Sequence, residues 1–128
     1  MNLSKNFTLE EMTRNGRGVT NTPNDASIEA LKLLCSKVLE PLRELYGKPI
    51  KVNSGYRSLL LNRLVGGAKN SQHCKGEAAD IDTQNDNKLL FNLIKENLEF
   101  DQLLNEHDYS WIHVSYRKTG NRNQILIL

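Results

Sequence analysis

Cysteine is scarce in this sequence, with only Cys35 and Cys74 among 128 residues. Two thiols cannot make the dense disulfide framework of small secreted domains, and a chain of this length buries enough surface to fold without one. Cys35 lies within an apolar helical pattern, where a buried and inert thiol is expected. Cys74 directly follows His73, but adjacent side chains on a loop seldom point the same way. The adjacent His73 and Cys74 therefore do not indicate a cysteine nucleophile.

Long apolar runs and a strong net charge are also missing. No segment approaches the length of a membrane span. The net charge is only +2, with lysine and arginine scattered along the chain, which does not favour a nucleic-acid partner. The N-terminal stretch MNLSKNFTLEEM is polar, so we predict no signal peptide and a cytoplasmic location as synthesised. Any action outside the cell would then need another exit, such as lysis, and we expect a monomer.

The first half of the chain is predicted to be mainly helical. Thr8 and Glu11 have the spacing of a capping box and predict a short helix after Thr8. Apolar residues then recur at helical spacing after a cap at Asp25 or Ser27. Pro41 interrupts this pattern and predicts a kink or a break.

The second half combines strands with two more helices. One helix is predicted at 58–65, and a second at 86–98 whose inward face carries Leu89, Leu90, Leu93, Ile94 and Leu98. Short apolar or alternating segments predict strands at 50–53, 77–83, 100–106, 110–117 and 124–128. Helices followed by strands joined by turns favour a single α+β domain over residues 1–128, with helices packed on one side of an antiparallel sheet.

Three side chains suited to a divalent ion stand out: His73, Asp80 and His113. His73 precedes a predicted strand, Asp80 lies on that strand, and His113 lies on a different strand. Two imidazoles and one carboxylate are a suitable ligand set for catalytic zinc, which leaves one coordination position for water. Asp82 shares a strand face with Asp80 and either orients a ligating imidazole or is solvated. The spacing alone is a weak signal, since a histidine on a strand is more often structural than a metal ligand.

The stretch Ser71–Asp80 fits the pattern S-x-H-x-x-G-x-A-x-D at each fixed position. It resembles the zinc-dependent D-Ala-D-Ala carboxypeptidases and murein endopeptidases of the peptidase M15 family, above all the small single-domain phage and bacterial members. The segments VNSGYRS, LNRLVGGAKNSQH, FDQLLNE and WIHVSY agree with that family in the same order. The resemblance runs from about Phe7 to Tyr116 and implies the fold shared by these peptidases and the hedgehog signalling domain.

The resemblance also implies the roles of individual residues. Arg57, in the segment GYRS, is expected to contact the substrate carbonyl or carboxylate, a task suited to a permanently charged guanidinium. Ser71 is expected to bind substrate or to brace the loop of His73. Trp111 shares a strand face with His113, so it either forms a wall of the site or packs as an ordinary core residue. The implied zinc ligands are His73, Asp80 and His113.

The general base is where this sequence departs from the family. Many members carry an acidic residue three positions before the last histidine ligand, but Ser110 occupies that position here. Two acids lie nearby, Glu106 and Asp108. Glu106 ends the segment FDQLLNE, whose strand plausibly pairs with the strand of His113, and it is the preferred candidate.

The resemblance implies a zinc metallopeptidase that hydrolyses bonds involving D-amino acids in peptidoglycan stem peptides. It would act either as a D,D-carboxypeptidase or as an L,D- or D,D-endopeptidase. The serine at position 110, where many members carry an acid, instead favours a non-catalytic zinc-binding module on the same fold. A third possibility is an interaction domain without metal, whose stability chelators would leave unchanged.

Overall fold

Three helices open the chain and three consecutive strands close it in the computed structural model, which describes residues 1–128. The helices are Leu9–Thr13 (α1), Asp25–Leu34 (α2), Glu40–Tyr46 (α3), Leu59–Leu64 (α4) and Asn87–Asn97 (α5). The strands are Lys51–Ser54 (β1), Ala78–Asp82 (β2), Gln102–Glu106 (β3), Trp111–Ser115 (β4) and Gln124–Ile127 (β5). The predicted α+β class is confirmed, and no helix is both long and apolar enough to cross a membrane.

Side-chain caps begin the first two helices. The capping box of α1 is present, since Thr8 Oγ1 accepts from the Glu11 N–H and the Glu11 carboxylate accepts from the Thr8 N–H. The cap of α2 is Asn24, whose Oδ1 accepts from the Ser27 N–H at 2.8 Å. The predicted cap at Asp25 or Ser27 is therefore wrong, because the asparagine one residue earlier supplies the oxygen that the free N–H groups need.

The long apolar helix is interrupted before Pro41, as predicted. A π-helical turn at Cys35–Leu39 separates α2 from α3, and Pro41 lies in the first turn of α3. Proline is tolerated there because its missing N–H would have had no partner in a new helix. Cys35 is fully buried within the turn, and burial raises the pKa of its thiol to about 12. This agrees with the inert role predicted for it.

The sheet has the strand order β1-β2-β4-β3-β5. The first four strands in that order pair antiparallel, which confirms the predicted sheet, while β5 pairs parallel to β3. The exception follows from where β4 ends. Ser115 lies beside Asp101 at the start of β3, and the next segment enters β5 at that same end, where the Gln124 N–H donates to Asp101. β5 therefore starts at the same end of the sheet as β3 and runs in the same direction.

The two faces of the sheet have different roles. One face carries Ala79, Ile81, Leu103, Ile112 and Val114 into a core of 20 buried residues shared with the helices. The opposite face carries the alternate residues, which include Asp80 and His113. The structure thus separates a packed apolar face from a face that carries the polar side chains of Asp80 and His113.

One residue of α5 is placed differently from the prediction. Leu89 is 48% exposed, whereas Phe91, which lies on the core side, is buried. With 3.6 residues per turn, Phe91 falls on the same side of the helix as Leu90 and Ile94, and Leu89 turns away from them.

The Asp101 carboxylate ties the C-terminal segment to the sheet. It is fully buried, and it pairs with Arg122 at 2.7 Å and with Arg117 at 3.1 Å. Arg122 donates from Nε, Nη2 and its backbone N–H. These hydrogen bonds, led by those of the Arg122 side chain, hold the pKa of Asp101 below its ordinary value despite burial.

We predict that Asp101→Asn lowers the free energy of unfolding by about 2 kcal/mol at pH 7. Folding lowers the pKa of this carboxyl, so its contribution is present at neutral pH and fades as the pH falls below roughly 4. Urea titrations at pH 7 and pH 3 should therefore show a gap between variant and wild type that closes on acidification. Glu96→Gln, on an exposed and unpaired acid, is the control; an equal loss there would contradict the prediction.

Candidate metal centre

The first candidate ligand, His73, is held by a short 3₁₀ helix at Gln72–Lys75. Ser71 caps this helix by accepting the His73 N–H on its Oγ. The imidazole is buried, and its Nδ1 lies 2.6 Å from the carbonyl oxygen of Gly55. A carbonyl only accepts, so Nδ1 carries the hydrogen, and Nε2 is the ring nitrogen that faces Asp80. This is the orientation that a metal-ligating histidine requires.

The other two candidate ligands face each other across neighbouring strands. Asp80 on β2 and His113 on β4 are direct cross-strand partners. Asp80 Oδ1 lies 2.9 Å from His113 Nδ1 and 3.3 Å from His73 Nε2. One ligand atom from each of the three residues lies within 4.8 Å of the other two. Ligands about 2 Å from a tetrahedral ion lie roughly 3.3 Å from one another, so this donor set fits a metal ion.

Asp80 is an ionised carboxylate in a nearly closed environment. Burial by itself would raise its pKa, but hydrogen bonds from His113 and His73 and the charges of those rings outweigh the burial. The pKa of Asp80 therefore lies well below its usual range. A permanently anionic oxygen between two imidazoles is suited to holding a divalent cation.

Arg57 lies directly behind Asp80. Its Nη2 is 3.3 Å from Asp80 Oδ2, its Nε donates to Ser54 and its Nη1 donates to Asn62. A guanidinium has five N–H groups, and these contacts engage three of them. Arg57 thus orients the Asp80 carboxylate while two N–H groups stay available for a substrate. The orientation of Asp80 by Arg57 was not predicted from the sequence.

Asn62 is a further residue that the sequence did not single out. It is buried, and its amide joins Arg57 to the carbonyl of Ala68. A side chain at Gly67 would overlap Asn62 Oδ1, so that position requires glycine. In the sequence, Asn62 was marked only by its place within the segment LNRLVGGAKNSQH.

Asn21 joins two segments that flank the site. Its Nδ2 donates to the carbonyls of Thr13 and Tyr56, and its Oδ1 accepts from the Ser58 N–H. The end of α1 is thereby fixed against the loop that carries Arg57. Asn21 lies in a stretch rich in glycine, asparagine and threonine, where an asparagine is usually a solvated turn residue.

Glu106 lies at the end of β3 on the same face as the cluster. It is the cross-strand partner of Trp111, and Leu104 is the partner of His113. Glu106 and His113 are therefore diagonal neighbours on one sheet face. The Glu106 carboxylate is half-buried and makes no hydrogen bond within the protein.

Asp108 is placed less favourably. It is exposed in the turn between β3 and β4, where His107, Asp108 and Tyr109 have φ values of 47°, 54° and 63°. These three consecutive left-handed residues form the turn that reverses the chain between the paired strands β3 and β4. The geometry thus favours Glu106 over Asp108 as the acid beside the cluster.

The other residues considered from the sequence have clear positions. Ser71 braces the 3₁₀ helix, one of its two predicted roles. Trp111 lies half-buried on the site face, 5.1 Å from the His107 ring. Asp82 accepts from the Asn87 amide at 2.6 Å rather than from a ligand imidazole. Both cysteines are free, and burial raises the pKa of the Cys74 thiol, which does not suit a nucleophile.

The histidine–aspartate–histidine cluster could hold a metal ion, and comparison with known families points to a family of peptidases. The Peptidase M15 family model matches residues 5–115. The chain therefore belongs to the peptidase M15 family, as its motifs predicted.

The relatives of this chain include the zinc D-Ala-D-Ala carboxypeptidase of Streptomyces albus G. The two sequences are 41% identical over 78 residues. The matched region is 59% of this chain and 31% of that protein, so the chain corresponds to less than a third of the relative's length.

We predict that Zn²⁺ stabilises the wild-type protein and that His113→Ala abolishes this gain. An ion that binds only the folded state adds about 4 kcal/mol at a thousandfold excess over Kd. The measurement is the rise in Tm when Zn²⁺ is added to chelator-treated protein. His107→Asn is the matched control, because it replaces the histidine outside the cluster by a residue that tolerates a left-handed backbone. Equal Tm rises in both variants, or none in wild type, would refute the metal site.

Proposed function

We propose that this protein is a zinc-dependent peptidase that hydrolyses peptide bonds involving D-amino acids in peptidoglycan stem peptides. The observation that carries the proposal is the convergence of His73, Asp80 and His113 within 4.8 Å on the open face of the sheet. Membership of the peptidase M15 family and the name of the Streptomyces relative support the reaction and the substrate class.

Zinc is the ion that this donor set fits best. Two imidazole nitrogens and one carboxylate oxygen are a common ligand set of catalytic zinc, and they leave a coordination position open. A zinc ion held there supplies Lewis-acid polarisation of a carbonyl and activates water at neutral pH. The Gly55 carbonyl fixes the His73 ring, and Arg57 fixes Asp80, so two of the three ligands are oriented before any ion binds.

Arg57 has the role of electrostatic stabiliser. Its two unengaged N–H groups donate to the oxygen of the scissile carbonyl as negative charge develops there, or to a nearby substrate carboxylate. The contacts with Ser54 and Asn62 restrict the guanidinium to one orientation. A donor that is already oriented needs little reorganisation during the reaction.

Glu106 has the role of general base and then of general acid. It accepts a proton from the attacking water and delivers that proton to the departing amine as the C–N bond breaks. Its position diagonal to His113 and its freedom from protein hydrogen bonds support this role. Trp111, its cross-strand partner, forms a wall beside the substrate, and Ser71 holds the 3₁₀ helix of His73 in place.

The position of the cleaved bond distinguishes the two enzyme types. A carboxypeptidase releases a single C-terminal D-alanine, whereas an endopeptidase divides the stem or a cross-link. Mass spectrometry of defined muropeptides after incubation identifies the bond directly. The carboxypeptidase name of the relative favours release of the terminal residue.

We predict that Glu106→Gln lowers kcat for muropeptide cleavage by about 10²–10⁴-fold, the usual contribution of a general base. The zinc content should stay the same, because Glu106 is not a ligand. Asp108→Asn is the matched control and should retain most of the activity. A loss in Asp108→Asn with activity kept in Glu106→Gln would assign the base to Asp108 instead.

A non-catalytic zinc-binding module is the second candidate function. It is favoured by Ser110, which occupies the position where many family members carry an acid. Wild-type protein with stoichiometric zinc and no cleavage of any muropeptide would support the module and overturn the peptidase.

A further inference from the structure

A cavity of about 300 Å³ lies beside the metal centre, between two segments of the chain. One wall is the loop after α1, with Arg14 and Arg17. The other wall is the end of β1 and the loop after it, with Ser54 and Arg57. Arg57 is shared between this cavity and the metal centre, since its Nη2 also contacts Asp80 at 3.3 Å. A group bound in the cavity therefore lies next to the proposed reaction site.

The lining of the cavity is cationic, and two of its three arginines have no acidic partner. Three arginines line it, at positions 14, 17 and 57, and no acidic residue does. The exposed side chains of Arg14 and Arg17 make no ion pair with the protein, unlike Arg117 and Arg122, which share Asp101. Arg57 is already paired with Asp80, so the positive charge that attracts an anion into the cavity comes from Arg14 and Arg17.

The cavity is also held in shape by hydrogen bonds. Asn21 clamps the end of α1 to the Tyr56 carbonyl, and the Tyr56 N–H donates to the Met12 carbonyl at 2.7 Å. A side chain at Gly55 would come within 2.5 Å of that same carbonyl oxygen, so the two walls approach as closely as glycine allows. The arginines thus extend from two segments whose separation is fixed.

The arginine loop has its own internal bonds. The Asn15 side chain accepts from the Arg17 N–H at 2.9 Å and donates to the Val19 carbonyl at 3.1 Å. These contacts order the backbone that carries Arg17, which lowers the entropy cost of ordering it around a ligand.

We propose that this cavity binds a carboxylate of the substrate and that Arg14 and Arg17 determine a preference for acidic peptides. Guanidinium groups match carboxylates in charge and in planar geometry. The proposal rests on the proposed peptidase function, and it adds a binding subsite to the metal centre. Stem peptides offer two such carboxylates, the C-terminal one and the α-carboxylate of a γ-linked D-glutamate.

The test uses the zinc-loaded double variant Arg14→Gln/Arg17→Gln and three forms of one stem pentapeptide. In the first form both carboxylates are free, in the second the C-terminus is an amide, and in the third the D-glutamate α-carboxylate is an amide. For the fully acidic peptide we expect KM to rise about tenfold, which corresponds to roughly 1.4 kcal/mol. The amide that removes the bound carboxylate should raise the wild-type KM by a similar factor and abolish the difference between wild type and variant.

The matched control is Arg63→Gln, an exposed arginine on α4 that does not line the cavity. Its KM values should equal those of wild type, which separates the cavity from the general charge of the surface. The zinc-induced rise in Tm should be the same in all variants and reports an intact fold.

The outcomes separate this proposal from the proposed function. If wild type cleaves all three peptides and the double variant has unchanged KM values, the carboxylate subsite is refuted and the peptidase stands. If zinc-loaded wild type cleaves none, the peptidase fails, and calorimetric titration of the acidic pentapeptide into wild type and double variant decides the subsite by itself. Equal affinities in that titration would overturn it.

Discussion

The site depends on one buried charge, the Asp80 carboxylate. Moving an ion out of water costs several kcal/mol unless nearby groups compensate it, so the fold must surround this carboxylate with donors. His73, His113 and Arg57 provide them, from a 3₁₀ helix, a neighbouring strand and the loop after β1. The requirement links three distant parts of the chain. Two of these groups, the imidazoles, are also the groups that complete a metal-binding set, so compensation of the charge and assembly of the site use the same contacts.

Behind these groups, neutral amides and carbonyls fix the orientation of each one. Gly55 links the residues around Asp80 to the neutral groups behind them. Its carbonyl orients the His73 ring, and its missing side chain lets the Met12 carbonyl approach and accept the Tyr56 N–H. Asn62 positions Arg57 in the same way. Neutral groups suit this purpose because they add directional hydrogen bonds without adding another charge that would need compensation.

The sequence was most informative where the determining interactions are local or where a whole motif is present. The capping box at Thr8, the break before Pro41 and the ligand motif from Ser71 to Asp80 could all be read from short segments. The contact of Arg57 with Asp80 could not, because it depends on the relative placement of β1 and β2. Asn21 was missed for a similar reason: two of its three partners, Tyr56 and Ser58, are distant in sequence, and an asparagine in a polar loop resembles any turn residue.

The turn between β3 and β4 explains how the site accommodates serine at position 110. Three consecutive left-handed residues cost about 1–2 kcal/mol each, and the turn offsets this by hydrogen bonds from the Tyr109 N–H to Asn105 and from the Ser110 N–H to Glu106. The Ser110 hydroxyl donates to the His107 carbonyl, so this side chain belongs to the turn. The same turn sets Glu106 opposite Trp111 on the face of His113, so the acid beside the metal centre comes from β3.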